Sequence, residues 1–151
     1  MTVLAGDVVT AATLRRLQPR TYTAVATGTL AASSTDADIV GATVTFTTET
    51  NNAIYVATGD YQVIWTGAGT SSAVGKLAVD SSIQTGQIAT RQAPGTAADN
   101  GDSEAMTRTW RGTLATAGSH TIKLVGTTGA NQTISATSSA TSITVTVYEV
   151  V

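Results

Sequence analysis

The sequence predicts an all-β protein, an antiparallel sandwich or jelly roll. Three observations carry this. Threonine, alanine, serine and glycine replace the usual charged residues, so only 12% of the 151 residues are charged, about half the ordinary share. Threonine is β-branched and suits a pleated, half-wet surface, whereas Glu, Lys and Gln, the good surface helix formers, are scarce. Short segments of alternating polarity recur with turn signals every eight to twelve residues or so.

The segments follow in order. Thr10 is placed to cap a short helix, Ala11 to Gln18, which Pro19 ends. "YTAVATGTL" from Tyr22 alternates, and the polar stretch "AASSTDAD" after it reads as a loop. In "IVGATVTFTTE", Val44 and Phe46 share one face while Thr43, Thr45 and Thr47 share the other. "NAIYVATGDYQVIWTGAG" is a long apolar run in which Gly59-Asp60 is either a hairpin turn or a bulge. "AVGKLAVD" and "IQTGQIATR" flank a tight turn at Asp80-Ser81-Ser82. Gln92 to Ala105 reads as one long exposed loop. "MTRTWRGTL", "HTIKLVGTT" and "NQTISATS" are further strands, and "SITVTVYEV" sets Ile143, Val145 and Val147 against Thr144, Thr146 and Tyr148.

Composition also bounds function. A net charge of −2 and a sequence pI of about 5.1 supply no basic field for nucleic acid. With no cysteine, disulfides, thiolate chemistry and Cys-based zinc sites drop out together. The first twenty residues lack the basic start and apolar run of a signal peptide. No stretch approaches the eighteen or so apolar residues of a membrane helix. An extracellular role reached by lysis, as for a virus particle, fits that combination.

Candidate chemistry is thin. His120 is the sole histidine; it follows Gly118-Ser119, with Ile122 and Leu124 on its face, and reads as the start of a strand. No nucleophile elbow, phosphate-binding glycine spacing or further metal ligand accompanies it. Asp99, Asn100, Asp102 and Glu104 cluster in "DNGDSE" without the EF-hand spacing, which favours a solvated loop over a calcium site. No cofactor is expected. Trp65 and Trp110 are wanted by a core poor in Phe and Leu; exposed, they would instead offer flat faces to a glycan. The triplet "NQT" at Asn131 reads as an accident.

Taken together, "GDVVTAATLRRLQP", "KLAVD", "TWRGTLATAGSHTIKLVGTT" and a final Thr/Val strand resemble small virion proteins of tailed bacteriophages, particularly those of actinobacterial hosts. The resemblance spans nearly the whole chain but rests on strand and turn patterns. It implies a jelly-roll domain of the tumour-necrosis-factor and C1q type, often trimeric. It also implies a non-enzymatic minor tail, fibre or spike protein, or a capsid decoration protein, located in the virion. The expected partners are further copies of the chain and tail, collar or major capsid proteins. A host-surface glycan is the rival partner; nucleic acid and membrane are not expected. On this reading residues 1–20 form an attachment arm and 21–151 the sandwich. Val3, Leu4, Leu14 and Leu17 would supply the arm's apolar contact, and Arg15, Arg16 and Arg20 its positive charge.

Overall fold

The computed structural model describes residues 10–69, 71–86, 88–92, 99–137 and 141–149. Thr10 caps α1 (Ala11–Leu17), its Oγ1 accepting from the Thr13 N–H at 3.2 Å, and Gln18 lies just past the last turn. Among the described residues, everything after Pro19 is strand and turn. The strands are β1 (Arg20–Val25), β2 (Ser33–Thr48), β3 (Ala53–Trp65), β4 (Ser72–Val79) and β5 (Ser82–Ile83). They continue with β6 (Ala89–Gln92), β7 (Ser103–Leu114), β8 (Gly118–Thr128), β9 (Gln132–Ile134) and β10 (Ser142–Tyr148).

Two antiparallel sheets face each other. The first runs β1-β10-β3-β7, with β9 on the distal half of β3; the second runs β2-β8-β4, with β5 and β6 both paired to β4. This alternation of early and late strands between two sheets is a jelly roll, in which each strand pairs mainly with one distant in sequence. The period-two reading explains the packing. Val44 and Phe46 on β2 and Ile143, Val145 and Val147 on β10 point inward, and all five are buried. Tyr22 of β1 stacks on Phe46 of β2 with ring centroids 5.1 Å apart, closing one side of the sandwich.

Aromatic rings fill the centre only because glycine faces them. Tyr61 is fully buried and its hydroxyl donates to the Lys76 carbonyl at 2.7 Å. A Cβ on Gly75 of the opposite sheet would stand 2.6 Å from that ring. Burial pushes the Tyr61 phenol far above its ordinary range, so it stays a neutral donor.

Several sequence expectations are corrected. Gly59-Asp60 forms neither turn nor bulge: β3 runs straight through, its register with β7 unbroken from Ala53 to Ile64. Ser33 to Asp38 belong to β2 rather than to a loop. Gln92 ends β6 and Ser103 to Ala105 begin β7, so the loop between them is shorter than expected; residues 93–98 lie outside the described ones. "IQTGQIATR" is divided between the short strands β5 and β6, and "NQTISATS" contributes only β9. The turn at Asp80-Ser81 is present, with both residues at positive φ (47° and 70°), as a two-residue hairpin of the I′ kind requires.

Candidate functional site

The two outer faces of the sandwich differ in chemistry. On the β2-β8-β4 side, lysines are paired across strands: Lys76 Nζ donates to both oxygens of Asp36 at 2.7 and 2.8 Å, and Lys123 Nζ to Asp38 at 2.6 Å. The β1-β10-β3-β7 side is different. Its outward positions are mostly threonines and other uncharged residues, among them Ile54, Val56, Ile64, Val25 and Tyr148, and among the described residues only Asp60 and Arg111 bring charge to it. Threonine hydroxyls there pair with one another, Thr21 with Thr146 (3.1 Å) and Thr58 with Thr109 (2.9 Å), and Thr107 donates to Asp60 at 2.6 Å. Such pairs satisfy hydroxyls without water. Ile54, Val56, Tyr148 and Arg111 line a shallow hollow of about 390 Å³ on this face.

At one end of the same sheet the arm meets the sandwich. The Glu149 side chain is 1% exposed. It accepts from the Thr50 hydroxyl (2.7 Å), from the Glu49 and Thr50 N–H groups (3.0 Å each) and from the Arg20 guanidinium. Burial pushes the Glu149 carboxyl up, but these donors and the Arg20 charge pull it below the usual carboxylate range. Arg16 of α1 reaches Glu49 at 3.2 Å, and Arg15, Arg16, Arg20, Glu49 and Glu149 enclose a cleft of about 120 Å³. Leu14 and Leu17 turn away, 53% and 55% exposed. Arg20 thus belongs to β1, while Val3 and Leu4 lie outside the described residues. Nothing in the sequence singled out Glu149, whose partners Arg20 and Thr50 are 129 and 99 residues away.

The other candidates sit as follows. His120 is the third residue of β8, buried, with Nδ1 on Asp80 and Nε2 on the Thr116 carbonyl. Burial raises the Asp80 carboxyl, but hydrogen bonds from His120 and the Thr121 N–H, together with the His120 charge, bring it below its ordinary value. Trp65 and Trp110 are each 2% exposed in the core. A stacked sugar needs an open ring face, and neither has one. Asp102 Oδ2 accepts from the Asp99 N–H at 2.9 Å within a turn docked on the Trp65 backbone, while Glu104 lies in β7. Among the described residues no three His, Asp or Glu side chains stand together as a metal site, and no helix is long and apolar enough to cross a membrane.

No family model matches the chain, and no curated protein matches it in sequence. Solved structures do. Murine APRIL is similar at 12% identity, over 85% of this chain and 98% of that one, with a TM-score of 0.52. The T13 particle of IBDV is similar at 13% identity over 86% of this chain and 31% of that one (TM-score 0.49), and Eiger TNF from S. frugiperda at 8% over 83% and 91% (0.43). The likeness to APRIL fixes the fold, a jelly roll of tumour-necrosis-factor type, and at such identity the fold alone.

Proposed function

We propose that the protein is a non-enzymatic structural component on the surface of a tailed-bacteriophage particle, part of a tail- or collar-associated spike or fibre. It assembles as a homotrimer through the outer face of the β1-β10-β3-β7 sheet, with the N-terminal arm touching a neighbouring subunit. The observation that carries this is the contrast between the two outer faces, one laced with Lys–Asp pairs and the other nearly without charge. An interface patch is depleted of charge at its centre, and each partner in a specific complex covers about 800 Å². Apolar area left in water costs about 25 cal/mol per Å². The jelly-roll topology and the strand-and-turn pattern that resembles small virion proteins support the setting. A capsid decoration protein that clamps the phage head is the alternative within the same class.

Light scattering on the purified protein should give a trimer at micromolar concentration, and a map of the intact particle should show it as a symmetric ring on the tail or collar. Many copies spread over the head would replace the spike reading with the decoration reading. A stable monomer would overturn trimerisation, and specific retention on a glycan array would move the protein to the host-adhesion class.

A further inference from the structure

We propose that the exposed leucine ridge of α1 on one copy seats in the Ile54–Val56–Tyr148 hollow of the next copy around the ring. This rests on the self-association reading above and names the surfaces that meet. The helix is inverted relative to ordinary surface helices. Its arginine side faces its own sandwich, where Arg16 pairs with Glu49 and Arg15 lines the cleft beside Glu149. Its leucine side faces out, with Leu14 and Leu17 three residues apart and more than half exposed. A surface helix normally buries its apolar stripe and wets its charges.

The matching surface is on the same chain. The hollow joins three strands, since Tyr148 of β10 stands opposite Ile54 of β3, and Val56 of β3 stands opposite Arg111 of β7. Its volume is about 390 Å³, and three of its four lining residues are apolar or aromatic. The chain's own ridge does not fill it, because Leu14, Leu17 and Tyr148 are all exposed, the last by 44%. A ridge near one edge of the sheet, at the start of β1, and a hollow reaching the opposite edge strand β7 form a heterologous pair. Such a pair closes into a ring when the rotation between neighbours is a whole fraction of a turn, one third for a trimer, with each subunit giving one ridge and accepting one. The second copy is favoured as occupant because this chain itself presents an exposed apolar ridge, Leu14 and Leu17, that matches the apolar lining of Ile54, Val56 and Tyr148.

The chain contains no cysteine, so an engineered pair reports without background. The full chain carrying Leu17→Cys and Val56→Cys, and a second version carrying Leu14→Cys and Tyr148→Cys, should each oxidise to a covalent trimer on a non-reducing gel. Each single-cysteine chain should give no trimer band. Leu14→Asp with Leu17→Asp, folded as judged by circular dichroism, should weaken self-association at least tenfold. A trimer in light scattering that neither pair cross-links and the aspartates leave intact overturns this contact but not trimerisation. A disulfide closed within a monomer shows that the ridge seats on its own chain and also overturns the contact. A monomeric parent chain removes both readings.

Discussion

His120 Nδ1 lies 2.7 Å from Asp80 Oδ2 while its Nε2 lies 2.9 Å from the Thr116 carbonyl oxygen, so one ring ties the β4–β5 turn to the loop before β8. Both ring nitrogens are thereby engaged, one by a carboxylate and one by a backbone carbonyl. The other oxygen of Asp80 accepts from the Thr121 N–H at 2.8 Å. The arrangement is a structural clasp. His120→Ala should leave a buried gap and an unsatisfied carbonyl, at a cost of about 2–3 kcal/mol in denaturant unfolding.

Acid should loosen two carboxylates. Asp80 and Glu149 both titrate below their ordinary values in the folded chain. Each therefore contributes stability above the unfolded value, and that contribution disappears as pH falls through the folded one. Melting temperature should therefore begin to fall as pH drops through the ordinary carboxylate range, near about 4, and go on falling below it. Asp80→Asn and Glu149→Gln should each flatten that descent, and an unchanged acid limb in both would refute the assignment.

Glu149→Ala should be the more damaging carboxylate substitution. It removes the acceptor shared by the Thr50 hydroxyl, two backbone N–H groups and the Arg20 guanidinium, although Arg20, 35% exposed, can turn to water. A loss of about 1–3 kcal/mol is expected for several donors deprived of one charged acceptor, against under about 1 kcal/mol for Arg16→Ala, whose pair with Glu49 is exposed. Equal losses from the two would contradict this ranking.

Gly75→Ala should destabilise although alanine is small and apolar. The added methyl would enter the Tyr61 ring, whose hydroxyl is fixed to Lys76. Overpacking of this kind costs about 1–3 kcal/mol, and Tyr61→Phe in the same background should not restore it, since the ring remains.

Ser81→Gly should stabilise. Ser81 sits at φ 70°, following Asp80 at φ 47°. Asp-Gly is the preferred pair for such a turn, and relief of the left-handed strain should raise stability by about 0.5–1 kcal/mol. A lower melting temperature would show that the serine is not strained.

Much of the fold was legible because one side of most strands is wet. Val44, Phe46, Ile143, Val145 and Val147 announce their faces by alternation, and Thr10 and Pro19 bracket α1 by local chemistry alone. The misreadings have physical causes. Gly59 looks like a turn residue, yet it is a strand glycine: a Cβ there would stand 2.7 Å from Leu124 of the facing sheet. Asp60, its neighbour, faces out and accepts from Thr107, so its polarity does not break the strand. Ser33 to Asp38 lack alternation because this end of β2 is polar outside and thinly covered inside, and its charges are matched by lysines some 40 and 85 residues away. The same distance hides the candidate site. Leu14, Leu17, Arg15 and Arg16 were visible as a segment of distinct composition, but the hollow opposite them gathers residues from β3, β7 and β10, and no local pattern brings these together.

The pairing of β1 with β10 has a kinetic consequence. The register joins Arg20 to Val147 and Val25 to Ser142, so the β1-β10-β3-β7 sheet acquires this edge only after a strand more than a hundred residues downstream has been made. Until then β3 offers the flank that β10 will occupy, an open row of amides and carbonyls in a strongly apolar strand. Ladders of such high sequence separation form slowly, because loop closure precedes any gain from the contacts. The nascent chain thus passes through a stage in which its stickiest strand is half-paired, and synthesis rate and temperature should govern the yield of soluble protein more than native stability does.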